Sequence, residues 1–169
     1  MDTKEAILNR RSIRKFSQKE ISKQDIHELL EAGCAAPSAC NKKPYQIYVI
    51  TNKDKLLELD KCGLFTRMHS PLIIVVAGVL SKALPLKLKE YWIQDVSAVT
   101  ENILIRASSL GLGTCWNGIY PQEKVLKNVR KALNLDENIV PLSLIHVGYK
   151  EEEKSSYKGY DKNKILFIE

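Results

Sequence analysis

The longest helical pattern in the chain is residues 88–110, LKEYWIQDVSAVTENILIRASSL, and the rest of the fold is organised around it. Apolar side chains recur along one stripe of this segment at helical spacing, which is typical of a helix packed on a core. Apolar residues on its other sides predict a central helix, compatible with a place at a subunit interface. The stripe consists of Trp92, Val96, Val99, Ile103, Ala107 and Leu110, and the other sides carry Ile93, Leu104 and Ile105.

Apolar segments on both sides of this helix predict the strands. Leu72 to Val79 is nearly all apolar, which suits a central strand covered on both faces. Tyr45 to Thr51 and Leu142 to Val147 predict two more strands, and Ile165 to Ile168 predicts a short extended end that reaches toward a partner subunit. Shorter helices interleave with these strands, so we expect a single domain, residues 1–169, of α+β or α/β class.

The shorter helices have clear start and stop signals. Asp2 or Thr3, Ser22 and Asn52 or Asp54 can each cap a helix. Pro121 predicts the first turn of a last helix that runs to about Leu133. We expect the glycine pair in residues 111–113 to end the central helix, and residues 117–120 to form a second glycine loop.

Composition narrows the class of protein. The chain has 169 residues, of which 44% are hydrophobic and 27% charged, as in ordinary globular domains. Its net charge of +6 suits an anionic small molecule. A nucleic-acid partner is not expected, because aromatic residues do not interleave with the basic ones. The cysteines form no Cys-x-x-Cys pair and the histidines are isolated, so we predict reduced thiols and no metal site.

Hydropathy gives an expectation about location. The first residues contain no hydrophobic segment, and the longest apolar run, residues 72–80, is far too short to cross a bilayer. We therefore expect no secretory signal, no membrane partner and a cytoplasmic location.

Residues 10–14, Arg-Arg-Ser-Ile-Arg, are the strongest candidate binding segment. Arg10, Arg11 and Arg14 offer many hydrogen-bond donors beside the Ser12 hydroxyl, as expected of a site that grips a phosphate or another planar anion. Taken alone, a basic cluster is more often a solvated surface. The choice between these readings depends on the segments that accompany the cluster further along the chain.

Three segments, taken together and in order, resemble the FMN-dependent nitroreductase family. They are Arg-Arg-Ser-Ile-Arg at residues 10–14, Ala-Pro-Ser-Ala-Cys-Asn-Lys-Lys-Pro-Tyr at 36–45 and Gly-Leu-Gly-Thr-Cys-Trp-Asn-Gly at 111–118. The similarity covers nearly the whole chain. It implies an α+β fold with a mixed central sheet flanked by helices, and an intertwined homodimer with two FMN molecules at its interface. Members of the family typically pass two electrons from NADH or NADPH to nitro compounds, quinones or related acceptors.

The resemblance also implies roles for individual residues. Arg10, Arg11 and Ser12 would hold the FMN phosphate, and Arg14 would face the pyrimidine edge of the ring, where a cation stabilises the reduced flavin. Gly118 and Ile119 match the place where a backbone N–H meets the flavin N5, and Lys158 is a further phosphate candidate. No catalytic side chain is implied, because the flavin carries the chemistry. The loop expected to reach the flavin from the other protomer consists of Pro37, Ser38, Ala39, Cys40 and Asn41, with Asn41 as its main hydrogen-bonding side chain.

Departures from the family pattern leave alternatives open. Lys43 and Tyr45 stand where many members have glutamine and tryptophan. The connection from Val79 to Leu88 is short, whereas larger members insert helices there over the substrate pocket. The chain is therefore an NAD(P)H oxidoreductase, a flavin-binding or redox-sensing module with little turnover, or a flavoenzyme that uses a different electron donor. Fast oxidation of either nicotinamide cofactor would exclude the second alternative.

Overall fold

The computed structural model describes residues 1–168, and within that range five α-helices surround one four-stranded sheet. The α+β expectation is confirmed. The helices are α1 (Thr3–Asn9), α2 (Lys23–Cys34), α3 (Lys53–Asp60), α4 (Tyr91–Ser109) and α5 (Glu123–Leu133), and the strands are β1 (Tyr45–Ile50), β2 (Leu72–Val79), β3 (Gly113–Gly118) and β4 (Ile139–Gly148).

The sheet has the strand order β1-β2-β4-β3, and all three strand pairs are antiparallel. The expectation of a mixed sheet is therefore wrong for these four strands. One parallel contact exists, an isolated bridge between Ser12 and Thr114 at the outer side of β3. Because β3 is an edge strand, part of its backbone is open to a ligand or to another chain.

Helices cover both faces of the sheet. α2 and α4 pack on one face, and α3 and α5 enclose a second group of buried side chains on the other. As a result β2 and β4 are buried along their whole length, as the apolar sequence of β2 predicts. The predicted caps are also present, since the side chains of Asp2, Ser22 and Asn52 each accept a backbone N–H three residues on.

The central helix α4 is confirmed, with its apolar stripe in the core. Val96, Val99 and Ile103 are fully buried. α2 approaches α4 closely at Gly33, where an added Cβ would lie 3.0 Å from the Ile103 Cγ1 atom. The small residue therefore sets the spacing of these two helices.

Several boundaries differ from the sequence-based expectations. Residues 117–120 do not form a loop throughout, because Asn117 and Gly118 complete strand β3. α5 begins at Glu123, two residues after Pro121. Residues 165–168, expected as a short extended end that reaches toward a partner subunit, pair with no strand in the described chain, and their apolar side chains are 41–97% exposed.

No helix within residues 1–168 is long and apolar enough to cross a membrane. The described residues also contain no group of three His, Cys, Asp or Glu side chains that could hold a metal ion. All four cysteines are free thiols.

Candidate functional site

The predicted basic segment opens onto a cavity of about 340 Å³. Arg10, Arg11, Ser12 and Arg14 all line it. Lys154, from the segment that follows β4, is the fifth lining residue. The cavity is therefore formed by four cations and one hydroxyl from two distant parts of the chain.

Apolar residues between the arginines fix this segment against the end of the sheet. Ile13 and Phe16 are buried, and the Ile13 N–H donates a 2.8 Å hydrogen bond to the Thr114 carbonyl. Glycines make the close approach possible: a Cβ on Gly113 or Gly148 would lie 2.9 Å from the Ile13 or Phe16 side chain. Burial of Ile13 and Phe16 thus holds the backbone of the segment in place, with Arg14 exposed and Arg10 and Arg11 partly exposed.

Two carboxylates hold the basic groups of the cavity. Glu101 on α4 lies 3.6 Å from the Arg10 guanidinium. Glu152 accepts the Arg14 backbone N–H and lies 3.7 Å from the Lys154 ammonium. That backbone hydrogen bond, helped by Lys154, lowers the pKa of Glu152, so this carboxylate stays charged. The cavity keeps an excess of positive charge, which favours a dianion such as a phosphate monoester.

The predicted loop Pro37–Asn41 is ordered by polar contacts to its own chain. The Ala39 N–H donates a 2.7 Å hydrogen bond to the buried Asp95 carboxylate on α4, and the Ser38 hydroxyl accepts the Lys43 N–H at 2.9 Å. Cys40 and Asn41 have φ of 49° and 53°, which exposes their side chains on a tight left-handed turn. None of the loop residues lines the arginine cavity, so the single chain does not bring these two predicted groups together.

Gly118 and Ile119 lie at the opposite end of β3 from the arginines. Gly118 lies four positions after Thr114, a distance of about 13 Å along a strand. Thr114 accepts a hydrogen bond on the outer side of β3. In an antiparallel pair, alternate residues direct their backbone N–H and C=O groups toward the partner strand or away from it. Gly118 is an even number of positions from Thr114, so its N–H also points outward. Ile119 differs, because its side chain is fully buried and its N–H donates to the Leu142 carbonyl at 2.9 Å. Of the two predicted donors, only Gly118 has an N–H directed to the open edge.

Lys158 is not among the residues that line the cavity. It lies in the tail that crosses α1, where the neighbouring Tyr157 N–H donates to the Leu8 carbonyl. Sequence reasoning missed Lys154 because it follows three consecutive glutamates, a pattern typical of a solvated surface. Its distance in sequence from the arginines gave no signal that they share a cavity.

A second cavity, of about 390 Å³, adjoins Gly118. Sequence reasoning also missed this feature, because it combines a loop, a strand and a helix start that no motif links. Its lining consists of Gly63, Leu64, Phe65, Thr66, Trp116, Asn117, Gly118, Gln122 and Val125.

Comparison with known proteins decides the family. The sequence pattern of the Nitroreductase family matches residues 7–64 and 68–149. The chain belongs to the nitroreductase family. This match spans the arginine segment, the Pro37–Asn41 loop and Gly118, so the resemblance drawn from the three sequence segments is confirmed.

Individual nitroreductase relatives agree over nearly the whole chain. A protein of Archaeoglobus fulgidus provisionally named NADH dehydrogenase/NAD(P)H nitroreductase is 38% identical over 159 residues, which cover 92% of this chain and 90% of the relative. A crystal structure with the same provisional name, from Parabacteroides distasonis, has 34% identity and a TM-score of 0.91, covering 98% of this chain and 96% of that one. An FMN-dependent nitroreductase of Clostridium difficile has 29% identity and a TM-score of 0.88, with 98% of each chain covered. The nitroreductase fold of this chain is thereby shown.

Proposed function

We propose that this protein passes two electrons from NADH or NADPH, through bound FMN, to a nitro compound, a quinone or a related electron-poor organic acceptor. In this ping-pong scheme the nicotinamide product leaves before the acceptor binds. The observation that carries the proposal is the layout along β3, with a cationic cavity at one end and the outward Gly118 N–H at the other. A cofactor with an anionic tail and a hydrogen-bonding ring matches both ends.

The general assignment of this chain as an FMN-dependent oxidoreductase rests on its family. The chain is an FMN-dependent oxidoreductase of the nitroreductase family, as the names of its relatives indicate. The residues present fit FMN, because an excess of cations around the cavity suits a phosphate dianion. Bound FMN supplies the hydride chemistry through its N5 atom.

The residues of the chain then have separate tasks. We assign phosphate binding to Arg10, Arg11, Ser12 and Lys154, whose donors converge on one cavity. Arg14 supplies positive charge beside the ring and favours its reduced state. The Gly118 N–H donates to the ring edge and helps to orient it. Lys158 is not needed for this arrangement.

We propose that the site is completed in a homodimer. The Pro37–Asn41 loop is exposed, held by Asp95, and absent from the lining of the arginine cavity. A loop ordered in this way on its own chain is suited to contact the flavin bound by a second copy. We also propose a cytoplasmic location, where both nicotinamide cofactors are available.

Steady-state oxidation of NADH and NADPH tests the proposal, with and without added FMN. We expect FMN-dependent oxidation by at least one nicotinamide when a quinone or nitroarene is supplied. A sedimentation measurement in parallel should give the mass of a dimer. A yellow holoprotein that neither nicotinamide reduces would instead favour a flavin-binding module or a different electron donor.

A further inference from the structure

The loop between β2 and α4, residues 80–90, presents apolar side chains to solvent. Leu86 is 90% exposed and Leu88 is 50% exposed. Tyr91, the first residue of α4, is 41% exposed and continues the same surface. Apolar side chains grouped in this way on a protein surface mark an interaction site.

Lysines surround this apolar centre. Three of them belong to the loop itself, in which Glu90 is the single acidic residue. The other two precede β1, and the Val79 N–H at the start of the loop donates a 2.8 Å hydrogen bond to the adjoining Pro44 carbonyl. None of the five makes an ion pair within the part of the chain that the structure describes. The lysine surface consists of Leu86, Leu88 and Tyr91 together with the exposed side chains of Lys42, Lys43, Lys82, Lys87 and Lys89.

The nearest acidic turn, between α5 and β4, lies on the other face of the sheet. It contains Asp136 and Glu137. Leu135 packs with Tyr48 on the side of the sheet that α3 and α5 cover. Leu80, in contrast, packs against the core under α4. The lysine surface therefore keeps an excess of positive charge, which complements an acidic partner.

The lysine surface begins beside the residue assigned to the flavin ring edge. Tyr120 is two residues after Gly118 and therefore lies within about 7 Å of it. The Tyr120 ring contacts the ring of Trp92, with 5.2 Å between the ring centroids. Trp92 directly follows Tyr91 on α4, so a protein seated on the lysine surface would lie close to the proposed position of the flavin ring.

We propose that the lysine surface docks a small acidic protein that carries single electrons and delivers them to the bound flavin. Two reduced carriers each give up one electron, and these two electrons with one proton from solvent convert bound FMN to its anionic reduced form. The modest size of the surface suits such a partner, because redox encounter complexes bury less than about 1,200 Å² in total. This inference goes beyond the nicotinamide donors and rests only on the proposed position of the flavin ring.

Two other occupants complement the lysine surface less well. A second copy of this chain would bring lysines against lysines, and its exposed apolar tail is itself basic, with Lys158, Lys162 and Lys164 around Asp161. The phosphates of a nicotinamide cofactor would pair with lysines but would leave Leu86 and Leu88 in water. An acidic protein covers both kinds of group, with apolar contacts at the centre and ion pairs at the rim.

Binding between oxidised partners tests the proposal without turnover. The FMN-loaded protein is titrated by calorimetry with a small acidic ferredoxin, and backbone amide signals of residues 86–91 in the isotope-labelled protein should shift. Lys87→Glu combined with Lys89→Glu should raise the Kd for ferredoxin about tenfold or more at low salt. The difference should shrink as salt is added, because the charges are exposed.

Matched variants separate docking from folding. Lys127→Glu combined with Lys131→Glu makes the same change of charge at exposed positions of α5 and should keep the wild-type Kd. Leu86→Asn changes no charge, and asparagine tolerates the φ of 55° at this position. Its Kd should rise severalfold, because the apolar contact is lost. Reduced methyl viologen, a small donor that needs no docking, should reduce the flavin of every variant at the wild-type rate.

Reduced ferredoxin, mixed with the FMN-loaded protein without oxygen, should then bleach the visible flavin absorbance, more slowly when Lys87 and Lys89 are reversed. Absence of binding or of bleaching would overturn the inference, and the proposed function would stand if NADH or NADPH reduces the flavin. Bleaching by ferredoxin but by neither nicotinamide would support the inference and refute the proposed donors.

The other occupants give different results. If the lysine reversals raise KM for NADPH but not for NADH, and leave the Kd for ferredoxin unchanged, the lysines bind a nucleotide phosphate and the inference is overturned. If Leu86→Asn sediments as a monomer where the wild-type protein is a dimer, a second copy covers this surface, which also overturns it.

Discussion

Replacing Lys154 by methionine should weaken FMN binding selectively. The Lys154 ammonium donates a 2.9 Å hydrogen bond to the Ser12 carbonyl and lies 3.7 Å from Glu152, so its position in the cavity is fixed before any ligand binds. A hydrogen bond to a charged group contributes about 1.5–3 kcal/mol. Because the side chain is 29% exposed, we take the lower value, about 1.5 kcal/mol, which corresponds to a Kd for FMN raised roughly tenfold.

Riboflavin provides the matched ligand control, because it lacks the phosphate. Titration of either flavin into apoprotein, followed by flavin fluorescence, should show that Lys154→Met changes Kd for FMN and leaves Kd for riboflavin unchanged. Lys158→Met is the matched protein control, from the same tail but outside the cavity, and should keep the wild-type Kd for FMN within about twofold. The difference between the variants should shrink with added salt, since the charges are partly exposed. Equal losses of FMN and riboflavin affinity in Lys154→Met, or a larger loss in Lys158→Met, would contradict the assignment.

Three further changes test parts of the fold that support the site. Asp95→Leu removes the acceptor of the 2.7 Å hydrogen bond from the Ala39 N–H. In titrations its affinity for FMN should therefore fall severalfold. Asp95→Asn keeps an oxygen that can accept this bond, so its affinity for FMN should fall less. Gly78→Ala would place a Cβ 2.3 Å from the Trp92 ring and should lower the free energy of unfolding in urea by about 1–3 kcal/mol; an unchanged midpoint would refute that packing. Burial lowers the pKa of His146 from 6.5 to about 4. The unfolded chain therefore binds the proton more readily, and stability should fall as pH drops from 6.5 toward 4 by up to about 3 kcal/mol, a slope that His146→Phe should flatten in thermal melts.

The parts of the fold that the sequence predicts well are those governed by burial. Leu72–Val79 reads as a covered strand because every side chain is apolar, and the structure places its strand at these residues. The stripe on α4 predicts its helix equally well, because apolar residues at this spacing lie on one face of a helix and can all be buried together. The starts of three helices could also be predicted, because each capping side chain bonds a backbone N–H only three residues further on.

The parts that sequence reasoning missed depend on contacts between distant segments. β3 contains two glycines and few β-branched residues, so it lacks the usual composition of a strand. It is held by pairing with β4 and by the bridge to Ser12, which no local pattern reveals. Lys154 was missed for the same reason. It is unremarkable in its own segment and lines the cavity together with residues far away in the chain.

The candidate site shows the same division. The arginine segment could be predicted as an anion site because its chemistry lies within five consecutive residues. The sequence could not show whether Gly118 or Ile119 has the free backbone N–H, because this depends on which of the two is already bonded to another strand. The two-subunit arrangement of the Pro37–Asn41 loop stays a prediction.

The two half-reactions, measured separately and without oxygen, test the central claim most directly. The FMN-loaded protein is mixed with NADH or NADPH alone, and the visible flavin absorbance is followed. After removal of the nicotinamide, a quinone or nitroarene is added. The account predicts that the absorbance bleaches in the first step and returns in the second, with no nicotinamide present. Flavin that stays oxidised with both nicotinamides, or reduced flavin that no acceptor reoxidises, would contradict it.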